Sequence, residues 1–336
     1  MHNKETFIIA EIAQAHEGSL GIAHSYIDAL AKTGVNAVKF QTHIADAESS
    51  EYENFRINFS YEDVTRFDYW KRMEFTIEQW DGLKNHCHDL GIEFISSPFS
   101  CAAVDLLEKI GVNKYKIGSG ETMNYLMLQK IAETGKDILL SSGMSSFSEI
   151  DETLNFLKPF KNKISLFQCT TEYPTTPDTW GLNIISEMKS KYQLPIGFSD
   201  HSSDIYAPLA AVTLGVDLLE FHAVFHKDIF GPDAKASLNM EQIAQLVNGV
   251  KDIEKSINNP VDKNDNLKYA SNKILFGKSL ALNKDLESGH IIKIEDLESK
   301  KPAGKGISAK EFQSVIGKKL NKSLRKLEFL TNNDIE

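Results

Sequence analysis

The segment LLEFHAVFHKDIFGPD (residues 218–233) decides how the rest of the chain is interpreted, because it holds two histidines, His222 and His226, between acidic residues. On a helix, histidines four residues apart share one face, as the ligands of zinc proteases do. The residues before His222 instead form a short apolar run after TLGVD, which is typical of a buried strand. On a strand the two histidines lie about 13 Å apart, at roughly 3.3 Å per residue, so one ion binds both only if the chain turns back.

Short apolar runs of this kind, rich in β-branched and aromatic residues, also occur along the chain before it. They are FIIAEIA (7–13), AVKFQT (37–42), EFISSPF (93–99), KYKIGS (114–119), DILLSSG (137–143), ISLFQCT (164–170) and PIGFSDH (195–201). Helical patterns separate the runs, for example TIEQWDGLKNHCHDLG (76–91), in which Thr76 and Gln79 hold capping-box positions. Eight strand–helix units predict an α/β protein with a closed (β/α)8 TIM barrel; a doubly wound sheet is the alternative.

The pattern changes after the last long helical stretch, NMEQIAQLVNGVKDIEKSI (239–257). The polar segment NNPVDKNDN (258–266) is typical of a linker. Short strands and turns follow in a module of roughly 60 residues, a size that is marginal alone and usually needs a partner surface. We therefore predict a catalytic barrel over residues 1–257, a linker over 258–268 and a small domain over 269–336.

The composition argues against several classes of protein. Lys and Arg number 37 against 47 Asp and Glu, a net charge of -10 at pH 7, which disfavours nucleic acid as a partner. The start, MHNKETFIIAEIAQ, lacks the pattern of a signal peptide, and no apolar run is long enough to span a bilayer. Three widely spaced cysteines do not indicate a disulfide framework. We expect a reduced, cytoplasmic protein with no membrane partner.

Polar residues stand at the carboxyl ends of all eight predicted strands, where TIM barrels place their active sites. One such residue is usually an ordinary strand end, but a set that converges on one mouth indicates a functional site. The set comprises Glu11, Gln14, His16, Lys39, Gln41, His43, Ser96, Ser97, Lys116, Ser119, Glu121, Ser141, Ser142, Thr170, Thr171, Tyr173, Ser199, Asp200, His201, Glu220 and His222.

The residue types in this set indicate its chemistry. Lys39 and Lys116, with serines and small residues nearby, suit a phosphate or carboxylate, which needs positive charge and hydrogen-bond donors. Glu11 and Glu121 suit hydroxyl binding or proton transfer, although simple pairing with the lysines is the structural alternative. All of these residues are expected in the barrel mouth under either interpretation.

His201 and His222 end neighbouring predicted strands, so their imidazoles can meet at one ion. A histidine–oxygen site suits Mn, Fe, Co or Zn better than Mg. His226 lies beyond the strand and is predicted to be a loop residue rather than a ligand. The segment NHCHDLG (85–91) places its histidines and cysteine on different sides of a helix, so it is predicted to be a solvated face and not a zinc site.

Several motifs together identify a family that this chain resembles. They are FIIAEIAQAHEGSL (7–20), AVKFQT (37–42), SSPFS (96–100), YKIGSGE (115–121), LLSSGMS (139–145), QCTTEYPT (168–175), GFSDHSSDIYAPLAAVTLGVDLLEFH (197–222) and GPDAKASL (231–238). In this order, over almost the whole chain, they resemble the sialic acid synthase family. The C-terminal module resembles that family's antifreeze-like (SAF, β-clip) domain.

The resemblance implies a reaction and an assembly. It implies condensation of phosphoenolpyruvate with an open-chain N-acylated aldose, typically N-acetylmannosamine, to a nine-carbon 2-keto sugar acid and phosphate. It implies a divalent metal, Mn²⁺ first and Mg²⁺ or Co²⁺ next. It also implies a domain-swapped homodimer, in which the tail module of one chain covers the barrel mouth of the other.

The resemblance also assigns roles to individual residues. The phosphoenolpyruvate contacts would be Lys39, Ser97, Lys116, Ser119, Ser141 and Ser199. The sugar contacts would be Glu11, Gln41, Glu121, Tyr173, Asp233 and, in the tail, Lys301. The metal ligands would be His201 and His222, and the catalytic residues Glu11, Glu121, Lys39 and Lys116.

Three departures from the family pattern leave the sugar open. EFHA (220–223) replaces E-K/R-H-F beside the metal, Thr171 stands where some relatives have Asn, and Lys301 stands where the tail usually has a sugar-reaching arginine. Lysine cannot reproduce a bidentate guanidinium contact. N-acetylmannosamine is the first candidate, and the diacetamido precursors of legionaminic or pseudaminic acid come next. A barrel enzyme that uses an aldose phosphate and a non-catalytic binding scaffold are the remaining alternatives.

Overall fold

The computed structural model describes residues 5–57 and 59–336. It comprises two compact units, of which the first ends at Asn259 and the second covers Pro260–Glu336. The division falls within the segment predicted to be a linker. In the described ranges, no helix is long and apolar enough to cross a membrane.

In these residues eight parallel strands close a barrel, each paired with the next along the chain and the last with the first. The strands are β1 (Phe7–Ala13), β2 (Ala37–Thr42), β3 (Glu93–Pro98), β4 (Lys114–Ile117), β5 (Asp137–Ser141), β6 (Ile164–Cys169), β7 (Ile196–Asp200) and β8 (Leu218–His222). Each overlaps the apolar run that predicted it, and the TIM barrel expected from the sequence is confirmed.

Helices alternate with the strands of the barrel, and most of them begin at a side-chain cap. They are α1 (Leu20–Ala31), α2 (Ala45–Glu48), α3 (Arg66–Met73), α4 (Ile77–Asp89), α5 (Cys101–Ile110), α6 (Tyr125–Glu133), α7 (Phe147–Leu157), α8 (Leu182–Lys191), α9 (Tyr206–Thr213) and α10 (Met240–Asn258). At the start of α4 the side chains of Thr76 and Gln79 form the expected capping box, which satisfies free backbone N–H groups. After α5, Gly111 takes a left-handed conformation with φ 73°, which glycine adopts without steric cost.

Alternation along the strands stacks a polar layer on an apolar one inside the barrel. Successive side chains of a strand point to opposite faces, so residues two apart share a face. The buried apolar layer consists of Ile9, Ala37, Ile95, Leu139, Phe167 and Leu218. Two residues further along the same strands stand Glu11, Lys39, Ser97, Ser141, Cys169 and Glu220. A Cβ at Gly197 would lie 2.5 Å from the Phe167 ring, so this layer needs a glycine there.

The segment between β2 and α4 is an elaboration that the sequence analysis did not predict. It contains α2 and α3 and has its own buried cluster, formed by Ala45, Tyr69, Trp70 and Met73. Arg72 ties the segment to the barrel, because its guanidinium donates to both Asp63 and Glu17. This segment forms one wall of the barrel mouth.

The second unit contains α11 (Ala270–Phe276), β9 (Ser279–Leu282) and β10 (Leu297–Lys300). Two of its segments follow one pattern: LNKDLESGHIIKIEDLE (282–298) and LNKSLRKLEFLTNNDIE (320–336). Equivalent residues make equivalent contacts. Leu286 and Leu324 exchange backbone hydrogen bonds at 2.9 Å, and the pairs Lys284–Asp296 and Lys322–Asp334 are both 2.7 Å long. The unit is therefore built from two related halves around its own apolar core.

Candidate active site

Four charged side chains form the floor of the barrel mouth. Lys39 Nζ lies 2.5 Å from Glu11 Oε2 and 3.7 Å from Glu220 Oε1, and Lys116 Nζ lies 2.8 Å from Glu220 Oε1. Strand register explains the arrangement, because Glu11 is paired with Lys39 on one side and with His222 on the other. All four side chains are at most 5% exposed, so the two lysines and two glutamates balance one another in a buried layer.

The buried charged groups strongly shift one another's pKa values. Burial raises the pKa of Glu220, but Lys116 and Lys39 outweigh it and lower the pKa to about 2. Burial lowers the pKa of Lys39, but Glu11 and Glu220 outweigh it, and the net shift is upward. Both shifts keep the groups charged. An anion that enters this floor meets two lysines that are already compensated, so it must compete with the glutamates for them.

A small chamber of about 60 Å³ lies directly above the floor. Four serines with hydroxyl groups suited to an oxyanion line it: Ser97, Ser119, Ser141 and Ser199. Lys39 Nζ donates to Ser97 Oγ at 3.4 Å, and Ser199 Oγ donates to Glu220 at 3.0 Å. Lys39 and Lys116 line the same chamber, which therefore combines positive charge with hydroxyl donors, the combination that phosphate and carboxylate groups need.

A larger chamber of about 370 Å³ opens beyond it. Its walls include Gln41, His43, Glu48, Glu53, Arg56, Arg66, Trp70, Phe99, Glu121, Tyr173, His222 and Asp233. Arg56 donates to Asp233 at 2.8 Å and lies 4.3 Å from the centre of the Tyr173 ring. Arg66 lies 3.4 Å from Glu53. Each guanidinium on this wall is thus already paired with a carboxylate.

His201 and His222 lie side by side in the small chamber, with ring centres 5.2 Å apart, and His222 also lines the larger chamber. His201 Nδ1 donates to the carbonyl oxygen of Thr170 at 2.9 Å, which leaves Nε2 with its lone pair. Burial lowers the pKa of His201 to about 3, so the ring is neutral, as a ligand must be. By contrast, the His226 side chain is 70% exposed and lies 3.5 Å from Asp228.

The two imidazoles fit one metal ion only as part of a mixed ligand set. Across residues 5–57 and 59–336, no group of three or more His, Cys, Asp or Glu side chains is arranged to hold a metal. The backbone hydrogen bond that orients His201 is a usual support for a metal-binding histidine. The donors therefore suit an ion that takes its remaining ligands from substrate or water.

Glu121 projects from a short 3₁₀ turn, Ser119–Glu121, that follows β4. Asn124 Nδ2 donates to its carboxylate at 2.7 Å. Burial raises the pKa of Glu121, and the nearby Glu48 adds to this, while Asn124 and His43 act in the opposite direction. A carboxyl group with a raised pKa is suited to give and take a proton.

The structure brings most of the sequence-predicted residues together, with exceptions that have physical causes. Ser96 and Ser142 point into the barrel wall, where their hydroxyls donate to backbone carbonyls of Phe40 and Phe167. His16 packs against Phe75 at 4.8 Å between ring centres, away from the chambers. Lys301 lies in the second unit, 5.1 Å from the ring centre of Phe276, and its contact with a sugar stays a prediction.

Several lining residues were missed by the sequence assignment of roles. Glu220 and His43 stood among the polar strand ends but received no role, although their positions on the inward face of β8 and just after β2 were a usable signal. Glu48, Arg56, Arg66 and Trp70 come from the segment between β2 and α4, which carries no recognisable pattern.

Comparison with known proteins places this geometry in a family. Residues 26–262 match the NeuB family, and residues 277–336 match the SAF domain. An N,N'-diacetyllegionaminic acid synthase of Campylobacter jejuni is 33% identical over 97% of this chain and 99% of its own length. Human N-acetylneuraminate-9-phosphate synthase is 31% identical over 94% of this chain and 88% of its own.

A solved structure gives the same result. The N-acetylneuraminic acid (sialic acid) synthetase of Leptospira borgpetersenii serovar Hardjo-bovis, crystallised with citrate, superimposes with a TM-score of 0.70 at 31% identity. The match covers 80% of this chain and 90% of that one. The resemblance stated from the sequence motifs and the SAF assignment of the tail are both confirmed. The chain belongs to the NeuB family and carries a SAF domain at its C-terminal end.

Proposed function

We propose that this enzyme condenses phosphoenolpyruvate with an open-chain, unphosphorylated N-acylated aldose to give a nonulosonic acid and phosphate. One observation carries the proposal: a small lysine- and serine-lined chamber, which His201 and His222 also line, adjoins a larger one that shares His222 with it. Such a site holds a small anion next to a larger polar molecule. Membership of a family with acid synthases among its relatives supports a transferase and speaks against a non-catalytic scaffold.

Phosphoenolpyruvate would lie in the small chamber. Lys39 and Lys116 supply charge to its phosphate and carboxylate, and four serines supply hydroxyl donors: Ser97, Ser119, Ser141 and Ser199. Glu11 and Glu220 hold both lysines in place before the substrate arrives. Because the lysines are already ordered, substrate binding does not have to order them, and more of its free energy is available to hold the nucleophilic carbon beneath the aldehyde.

His201 and His222 would hold a divalent ion, with Mn²⁺ expected before Mg²⁺ or Co²⁺. When bound there, the ion supplies Lewis-acid polarisation of the aldehyde oxygen. Both imidazoles are held by buried strand ends, and the Thr170 carbonyl keeps His201 in the tautomer that presents a free Nε2.

The bond changes follow from this placement. Carbon 3 of phosphoenolpyruvate attacks the aldehyde carbon, and the aldehyde oxygen takes up a proton. Water then adds at the cationic carbon 2 and gives up a proton, for which we propose Glu121, whose pKa is raised by burial, as the acceptor. The bond from carbon 2 to the phosphate oxygen breaks, with its electron pair leaving on phosphate. The hydroxyl group on carbon 2 passes its proton to the departing phosphate, and the 2-keto acid remains.

The larger chamber supports an uncharged sugar. Arg56 and Arg66 are paired with Asp233 and Glu53, and the further carboxylates Glu48 and Glu121 line the same walls. A second phosphate would meet these acids without a free cation among the described lining residues. N-acetylmannosamine is the first candidate. A diacetamido hexose is the second.

The assembly that we propose is a cytoplasmic homodimer in which the SAF domain of one copy covers the barrel mouth of the other, with Lys301 reaching the sugar. Exposed apolar side chains support a contact between copies. In the second unit Leu267, Ile274 and Phe276 are 84%, 59% and 60% exposed. On the barrel, Leu126 in the first turn of α6 and Met144 in the loop after β5 are 79% and 60% exposed.

The deciding experiment measures phosphate release from phosphoenolpyruvate with a panel of N-acylated aldoses, with and without EDTA. Lys116→Met should abolish release. Lys114→Met is the matched control, because Lys114 points inward from the amino-terminal end of the same strand and pairs with Glu93. Absence of release with every aldose and metal would refute the proposed reaction.

A further inference from the structure

The side-chain amide of Gln41 borders both chambers, and its hydrogen bonds can be counted. Its Nε2 donates to Glu11 Oε1 at 2.9 Å. Its Oε1 lies 3.2 Å from Gln14 Nε2 and 3.2 Å from His43 Nε2. An amide has two N–H donors and two oxygen lone pairs. Both lone pairs are therefore used, and one N–H has no partner in the described part of the chain.

Glu11 fixes which way round the amide lies. Its carboxylate is ion-paired with Lys39 and can only accept hydrogen bonds. The amide nitrogen of Gln41 must therefore face Glu11, and the amide oxygen must face His43. Because that oxygen also only accepts, His43 has to donate from Nε2.

The other ring nitrogen of His43, Nδ1, also has a hydrogen-bond partner. His43 Nδ1 lies 2.5 Å from Glu48 Oε1, and a carboxylate accepts. Both ring nitrogens thus donate, which is the hydrogen-bond pattern of an imidazolium. The ring lies between the faces of Trp70 and Phe99, at 3.8 Å and 4.3 Å between centres and within 16° of parallel to each. Aromatic faces attract a cation, and Glu48 compensates its burial.

We propose that His43 and Glu48 are positioning residues that lock the Gln41 amide, so that its remaining N–H faces the larger chamber. Gln41 then offers the aldose a donor and never an acceptor. The subsite consequently selects a neutral oxygen of the sugar, a carbonyl or hydroxyl oxygen, and rejects a donor-only group such as an ammonium. This inference rests on the proposed function, because it assumes that the aldose occupies the larger chamber.

The state of His43 can be measured without any turnover. Nitrogen-15 NMR of the full-length protein, labelled at histidine, should show both ring nitrogens of His43 protonated at neutral pH. Glu48 and, further away, Glu121 are the acids near it, and burial lowers the pKa of the neighbouring His16 to about 3, which leaves that ring neutral. His226 is the internal contrast, because its Nδ1 accepts from the Asp228 amide at 3.2 Å.

Loss of the signal in His43→Phe assigns it. One unprotonated nitrogen at His43 overturns the proposal.

Separate KM values for the aldose and for phosphoenolpyruvate distinguish a positioning role of His43 from general support of the fold. His43→Phe keeps the aromatic stack but removes one of the two donors to the Gln41 oxygen, so the amide is held less firmly in place. The KM for the aldose should rise about two- to tenfold, the usual worth of one neutral hydrogen bond, while the KM for phosphoenolpyruvate stays unchanged. Glu48→Ala should give the same split if His43→Phe does not fold, and His43→Gln, which restores a donor, should recover part of the loss. Glu51→Gln, an exposed change on the same segment, is the control and should change neither constant.

Equal changes in both KM values, or no change for the aldose, overturn the positioning role. If the wild-type protein releases no phosphate with any aldose, it is the proposed function that fails. The NMR pattern still decides the state of His43 in that case.

Discussion

Glu220→Gln tests the charge balance of the barrel floor. In the wild-type protein two lysines face two carboxylates, and Lys116 has its ion pair with Glu220 alone in the described chain. The amide keeps an acceptor for Lys116 and Ser199 but removes the charge, so two buried cations share only Glu11. Breaking a buried pair by removing one partner costs about 3–5 kcal/mol. Because the amide preserves shape, we expect a loss of unfolding free energy near the lower limit, about 3 kcal/mol.

The sign of the pH dependence follows from the lowered pKa. Glu220 has a folded-state pKa of about 2, below the ordinary 4.5, so its contribution is complete above pH 4.5 and disappears as the pH falls through 2. The difference between wild type and variant should therefore be full at neutral pH. This difference in stability should narrow only below pH 4.5, as the pH falls towards 2.

An added anion should reverse the defect. Inorganic phosphate or phosphoenolpyruvate supplies the missing negative charge, so it should raise the midpoint of thermal unfolding of Glu220→Gln more than that of wild type. Glu93→Gln is the matched control, because its partially exposed pair with Lys114 at 2.9 Å is worth less than about 1 kcal/mol. Urea unfolding followed by circular dichroism, with and without phosphate, gives both quantities. If Glu220→Gln lost no more stability than the control, or phosphate stabilised wild type and variant equally, the charge-balance argument would be wrong.

Three further predictions concern single side chains. His201→Ala and His222→Ala should abolish turnover and weaken Mn²⁺ binding in calorimetry, whereas His226→Ala should keep both; equal loss in all three would remove the ligand assignment. Lys301→Ala should raise the KM for the aldose about ten- to hundredfold, the worth of roughly 1.5–3 kcal/mol in a charge-assisted contact, with the phosphoenolpyruvate KM unchanged; a shift in the latter alone contradicts it. Burial lowers the folded-state pKa of His16 from 6.5 to about 3, so between these values unfolding takes up a proton and the stability decreases as the pH is lowered. His16→Phe should reduce that slope by about 1.4 kcal/mol per pH unit in urea titrations, and an unchanged slope would refute the argument.

The sequence by itself determined the barrel and the composition of its floor. Apolar runs of period two, helical spacing and caps such as Thr76 with Gln79 act over a few residues, so they can be recognised without knowing the fold. Once eight strands are in order, alternation alone puts Glu11, Lys39 and Glu220 on the inward face at the carboxyl end.

What only the tertiary structure decided was how those side chains are paired and which groups complete the site. Ser96 and Ser142 stand beside site residues in sequence, but the pleat turns them into the wall. Arg56 reaches Asp233 across 177 residues of chain, and Trp70 and Phe99 enclose His43 from separate elements. These contacts depend on the path of the segment between β2 and α4, which has no periodicity to reveal it. Local pattern fixes which face a residue takes, whereas its partner and its charge environment are set by chain segments far away in sequence.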